Sequence, residues 1–211
     1  MDAQKTFENN RWLSGNQKAQ FRHQACLDMV VDGSVLDVGC GDGLLLSMLA
    51  EKGILGEGID FSEEAVQKCV SHGVRATQHD LNGKLPFPDN SFDYAVALDV
   101  LEHQFDPLFL LCEMTRVSRK NVIIGVPNFS SFPARFQTLF GRVPENNRPN
   151  KGHVYWFNYH VLQNMASQAG LRAVVCSMNT FKPLSFFGTV FQRAFPNMCA
   201  LSFVICFTKS S

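Results

Sequence analysis

The chain has 211 residues, 45% of them hydrophobic and only 18% charged, with nineteen basic side chains balancing nineteen acidic ones. That length suits one domain with some extra segments, and the apolar share is that of a chain folding around a core. Balanced charge argues against general nucleic-acid binding, which needs a basic surplus, and against an acidic disordered tail. No apolar run reaches the roughly 18 residues of a membrane helix. The polar start MDAQKTFENNRW lacks the apolar region of a signal peptide, so a cytoplasmic protein with no membrane span is expected. Seven cysteines, at 26, 40, 69, 112, 176, 199 and 206, form no CxxC pair and no Cys/His cluster at zinc spacing. No metal is therefore expected, and the thiols read as small apolar residues.

Residues 1–31 predict a polar start and then a helix over about 17–31. From there apolar strands alternate with amphipathic helices. Strands are predicted at 34–38, 56–60, 74–79, 92–98 and 121–126. Helices are predicted at 44–52, stopped by Gly53, and after Ser62, whose side chain suits a cap ahead of Glu63 and Glu64. A further helix opens at Pro107, with Leu110, Leu111, Met114 and Val117 at helical spacing, and another spans 159–169. The last strands fall at 171–177 and 201–208, joined by a Phe-rich segment without a clear helix. Such alternation predicts an α/β, Rossmann-like, doubly wound sheet in a single domain over 1–211, with the last strand inserted antiparallel. Residues 129–157 interrupt the rhythm and read as an insertion over the sheet's ligand-binding edge.

The most informative run is VLDVGCGDG, residues 35–43. A strand enters a glycine turn and a helix follows, which puts the turn at the carboxyl end of a strand, where ligands of open α/β sheets bind. A glycine turn by itself also serves as a tight structural turn. The spacing is GxGxG rather than the GxGxxG of a dinucleotide site, because position 44 is Leu. Asp37 suits a ligand with an ammonium group and would repel a pyrophosphate, so a nicotinamide dehydrogenase fits poorly. Asp60, Asp80 and Asp99 follow the next strands, which sets four acids along one rim. A carboxylate at the second strand's end can accept from both hydroxyls of a ribose, although any one such acid also serves as a turn former.

VLDVGCGDG resembles the first motif of class I S-adenosylmethionine-dependent methyltransferases. GIDFS resembles their second-strand acid motif, HDL their adenine-contacting motif and FDYAVALDVLEH their fourth-strand motif. The resemblance implies a seven-stranded sheet with an antiparallel last strand, S-adenosylmethionine as cofactor and S-adenosylhomocysteine as product. It implies that Gly39, Cys40, Gly41 and Gly43 cradle the methionine part, with Asp37 beneath it. It implies that Asp60 holds the ribose, Phe61 packs on the adenine, and Asp80 and Leu81 meet the adenine edge. Leu98 and Asp99 would border the methionine ammonium.

A narrower resemblance covers nearly the whole chain. The segments GIDFSEEAVQKCVSHGVRATQHDL, VPNFSSFPARFQTLFGRVP and FPNMCALSFVICF are similar to the MetW family of bacterial methionine-biosynthesis proteins. LEH and NKGHVYWFN resemble type 11 methyltransferase-domain proteins. Two functions are therefore expected in competition. One is a methyltransferase acting on a small-molecule acceptor. The other is a cofactor-binding partner that assists a homoserine O-acyltransferase.

Methyl transfer from a sulfonium needs chiefly alignment, and a general base helps when the acceptor is a hydroxyl or amine. His103, in LDVLEH, is the base candidate; it could instead anchor its loop. Asn128, at the fifth strand's end, is a second catalytic candidate; it could instead be a turn residue. In the insertion, Arg135, Arg142, Arg148 and Lys151 oppose Glu145, a net charge of +3 from four positive and one negative group. Phe129, Phe132, Phe136 and Phe140 fall on one helical face, suited to packing on the sheet, to a lid or to a docking surface. His153, Tyr155 and Trp156 could line the acceptor pocket.

Overall fold

The computed structural model describes residues 17–148, 151–186 and 188–210. The expected start of the chain before residue 17 lies outside these. Seven strands form one mixed sheet: β1 (Ser34–Val38), β2 (Leu55–Asp60), β3 (Ala76–Gln78), β4 (Phe92–Leu98), β5 (Ser118–Pro127), β6 (Leu171–Thr180) and β7 (Ala200–Lys209), in spatial order β3-β2-β1-β4-β5-β7-β6. β1 runs parallel to β2 and β4, β2 to β3, and β4 to β5. β7 lies antiparallel between β5 and β6. This is the expected doubly wound sheet with its antiparallel insertion.

The strands alternate side chains between two cores. Leu36, Val38, Ala95, Ala97, Val122 and Ile124 face one side, while Val35, Tyr94, Val96 and Ile123 face the other. Helices α1 (Phe21–Met29), α2 (Leu44–Glu51) and α3 (Glu63–Ser71) cover the second face through Cys26, Leu46, Leu49 and Cys69. The first face is covered by α4 (Pro107–Val117) and α6 (Tyr159–Gln168), through Leu110, Leu111, Met114, Leu162 and Met165. Between them comes α5 (Phe132–Leu139). Ser62 acts as read, its Oγ accepting from the Ala65 N–H at 3.3 Å, and α4 starts at Pro107 as expected, capped by Asp106, which accepts from the Phe109 N–H at 3.0 Å.

Three expectations change. α1 begins at Phe21, so residues 17–20 lie outside the helix, and Gln20 ahead of it has extended backbone. The Phe-rich linker does form helices, α7 (Lys182–Ser185), α8 (Gly188–Ala194) and α9 (Pro196–Cys199), each too short for an apolar period to announce it. The aromatic stripe of the insertion does not pack on the sheet: Phe132, Phe136 and Phe140 stack on one another along α5 and remain exposed.

Candidate active site

A cavity of about 390 Å³ opens at the carboxyl ends of β1, β2 and β4. Gly39, Asp60, Phe61, Asp80, Leu81, Leu98, Asp99 and His103 line it. Its volume lies in the range of small-molecule sites.

Gly39 turns at φ +75°, and a Cβ there would stand 2.4 Å from Val100 Cγ2. Only glycine fits this approach of backbone to cavity wall. Asp60 ends β2 with both carboxylate oxygens oriented by backbone. Oδ2 accepts from the Gly41 N–H at 2.9 Å, and Oδ1 from the Ser62 N–H at 2.8 Å. These two backbone donors hold the carboxylate in one pose at the cavity wall. Asp80 closes its own turn, its Oδ1 accepting from the Asn82 backbone at 3.0 Å and from the Asn82 side chain at 2.9 Å. The loop that follows is fastened by Arg116, which donates to the Phe87 carbonyl at 2.8 Å and the Leu85 carbonyl at 3.1 Å, while Glu113 accepts from the Leu85 N–H at 2.8 Å. That anchor fixes the loop at Leu85 and Phe87, beyond Asp80 and Leu81, and had no sequence motif.

Asp37, Cys40, Gly41 and Gly43 lie outside the cavity lining. Gly41 instead orients Asp60, and Gly43 permits α2 and α3 to approach, since a Cβ there would stand 2.6 Å from Cys69 Sγ. The Cys40 thiol is buried against Cys69, and that hydrogen bond together with burial pushes its pKa up, so it stays a thiol. Asp37 is buried; desolvation, reinforced by the nearby Asp60 charge, pushes its carboxyl up to about 7.

His103 lies at the cavity as expected, in a short 3₁₀ turn over Leu101–His103. Its Nδ1 donates to the Gly152 carbonyl at 3.0 Å. Asn128 is placed differently. It is fully buried, its amide donates to the Asn197 carbonyl at 3.0 Å and the Ala200 carbonyl at 2.7 Å, and its Oδ1 accepts from the Ser130 N–H at 3.0 Å and hydroxyl at 3.1 Å. The geometry makes Asn128 a clamp between β5 and the start of β7, away from the cavity lining. Tyr155 packs on the buried Phe157, and Trp156 is exposed, so neither lines the cavity. His153 stacks near His103, with ring centroids 4.9 Å apart.

The N-terminal segment supplies cavity residues that sequence reading missed. Gln17, Lys18, Gln20, Arg22 and His23 roof the site. His23 is buried, and its Nδ1 accepts from the Gln20 N–H at 3.1 Å. Burial, with the Arg22 charge beside it, holds His23 below its ordinary pKa and so neutral. Arg22 pairs with Asp99. Nothing in a short polar helix marks such residues; only the folding of α1 over the strand ends brings them in.

Residues 20–169, more than half the chain, match the family described as "Methionine biosynthesis protein MetW". The chain belongs to the MetW family. A demethylmenaquinone methyltransferase of Tropheryma whipplei is 34% identical over 67% of this chain and 61% of its own length. The chain thus spans about three fifths of that relative. The bifunctional methionine biosynthesis protein MetXA/MetW of Rhodopirellula baltica is 31% identical over 64% of this chain and 23% of its own. Among solved structures, a SAM-dependent methyltransferase of Thermotoga maritima superposes with a TM-score of 0.69 at 20% identity, covering 99% of this chain and 95% of that one. Magnesium protoporphyrin IX methyltransferase of Synechocystis, solved with S-adenosylhomocysteine, gives 0.67 at 18% identity, covering 97% and 94%. This MetW-family chain therefore has the class I methyltransferase fold. No helix of its described residues is long and apolar enough to cross a membrane.

Proposed function

We propose that the chain binds S-adenosylmethionine in the cavity at the strand ends and transfers its methyl group to a small-molecule acceptor. The observation that carries this reading is Asp60: a carboxylate fixed in one pose by two backbone N–H groups, in a cavity that also holds the Gly39 turn. A fixed carboxylate acceptor beside a glycine turn suits a ribose diol and a backbone-hugging chain, and the glycine spacing does not suit a pyrophosphate. The cofactor's contribution is an already activated methyl group. The chain's contribution is orientation and exclusion of water.

In this reading Asp60 accepts from the ribose hydroxyls, Phe61 covers the adenine, and Asp80 with Leu81 meets the adenine edge. Gly39 and Leu98 offer backbone to the methionine part. Arg22 and Asp99 close the roof, which keeps the methionine end from diffusing out. Asp37, Cys40, Gly41 and Gly43 act from behind as supports of the turn. His103 stands where the acceptor enters and takes part in activating its hydroxyl or amine. The test is transfer of a labelled methyl group from S-adenosylmethionine to a panel of hydroxylated and amino acceptors. Turnover on one of them, inhibited by S-adenosylhomocysteine, supports the reading; none on any, with the cofactor bound, favours the second.

The second reading is a cofactor-binding partner of a homoserine O-acyltransferase. The fused MetXA/MetW relative favours it, because fusion joins modules that work together. Co-elution of the chain with a separately purified homoserine acyltransferase, with a rise in acylation rate, is its test.

A further inference from the structure

Among the described residues, Glu102, His103 and His153 bring one donor atom each to within 4.8 Å of one another. They come from two segments far apart in sequence, and the backbone locks those segments together. The Glu102 carbonyl accepts from the Val154 N–H at 2.8 Å and the Tyr155 N–H at 3.0 Å. The Gly152 carbonyl accepts from His103 Nδ1 at 3.0 Å, and the Asn146 carbonyl accepts from His153 Nδ1 at 2.7 Å.

Those two contacts decide the tautomers. A carbonyl oxygen only accepts, so both Nδ1 atoms carry hydrogen. In each neutral ring the lone pair is then on Nε2. Fixing one ring nitrogen on a backbone carbonyl is how proteins orient metal-binding histidines. His153 Nε2 stands 3.9 Å from Glu102 Oε1. An ion at about 2.0–2.2 Å from each donor holds the donors roughly 3–3.5 Å apart, so donors that now lie within 4.8 Å of one another must close by up to about 1–2 Å to complete the set. The Glu102 side chain is 1% exposed and that of His153 11%. Burial at that depth favours any arrangement that neutralises the carboxylate.

We propose that Glu102, His103 and His153 form a two-histidine, one-carboxylate site for a divalent transition-metal ion, with zinc as the reference ion, at the edge of the cavity. Imidazole and carboxylate donors suit zinc and its first-row neighbours, and three protein ligands leave a coordination position open. His103 also lines the cavity, so that open position borders the acceptor side. It would take an oxygen of the acceptor, from a hydroxyl or a carboxylate, and polarise it. The acceptor step rests on the methyl-transfer reading above; the ion site does not. Sequence spacing hid it, because the second histidine arrives through the fold of the insertion.

The test uses full-length protein stripped with a chelator and titrated with Zn²⁺ by calorimetry, and with Co²⁺ by visible absorption. The expected result is one equivalent bound, with cobalt bands of four- or five-coordinate geometry and no thiolate charge-transfer band. His153→Ala, at a partly exposed position, and Glu102→Gln should each weaken binding about tenfold or more. Circular dichroism and S-adenosylhomocysteine affinity, measured on the same samples, report folding and the cofactor site separately. Failure of folded wild-type protein to bind either ion stoichiometrically overturns the proposal, whatever happens to cofactor binding. A thiolate band, or unchanged affinity in both variants, overturns it equally.

Discussion

The Arg22 guanidinium on α1 pairs with the Asp99 carboxylate just beyond β4, and both residues line the cavity. The pair ties the N-terminal helix to the sheet edge where the ligand would lie. Its side chains are 25% and 19% exposed, so water screens it and its stability contribution stays below about 1 kcal/mol. Arg22→Ala should therefore barely move the unfolding midpoint yet release S-adenosylhomocysteine several-fold faster. Stopped-flow dissociation beside a denaturant titration checks this. A large loss of stability with unchanged release would mean that the pair is structural.

Gly39 and Gly53 make a matched comparison. Both have positive φ, +75° and +76°, but a Cβ at Gly39 meets Val100 at 2.4 Å, whereas nothing lies within 4 Å of one at Gly53. Gly53→Ala should cost about 1–2 kcal/mol from backbone strain alone and leave cofactor affinity intact. Gly39→Ala adds overpacking against the cavity wall, for a total of about 2–5 kcal/mol, and should abolish binding. Equal costs for the two variants would show that the Gly39 turn yields freely.

Asp60→Asn keeps one acceptor oxygen and removes the charge. A hydrogen bond to a charged group contributes about 1.5–3 kcal/mol, so affinity for S-adenosylhomocysteine should fall at least about tenfold. The variant should also lose some stability, because the amide cannot accept from both the Gly41 and Ser62 N–H groups without turning a donor toward one of them. Unchanged affinity in a folded variant would remove Asp60 from the ribose role.

Asp37 makes the protein less stable as pH rises toward neutrality. Burial and the Asp60 charge raise its carboxyl from an ordinary 3.8 to about 7. Between those values the folded chain holds a proton that the unfolded chain has released, so this group's contribution to stability falls as pH rises from about 4 to 7. Asp37→Asn has no proton to lose. Its denaturation free energy should decline less across that window, and the two proteins should differ most above pH 7. Parallel pH profiles would contradict the raised pKa.

The strands were legible where chemistry is local. β1 and β4 are short apolar runs bounded by turn residues, and their bounds were read directly. The acids at the strand ends followed from the same pattern, because topology sets strand ends on one rim. What sequence hid depends on distant packing. Arg22 and His23 join the cavity only because α1 folds over it. Asn128 looked like a pocket residue by position, but its amide is spent on the Asn197 and Ala200 carbonyls and on Ser130. His153 reaches His103 through a loop without periodicity. The Phe stripe had the correct helical spacing, and spacing gives a shared face without saying what that face meets.

Whether the cavity holds the proposed cofactor is decided by calorimetric titration of the purified chain with S-adenosylhomocysteine, with a nicotinamide dinucleotide as control. One site with micromolar affinity for the homocysteine compound and no heat from the dinucleotide is the expected result. A folded sample that binds neither, or that binds the dinucleotide alone, would contradict it.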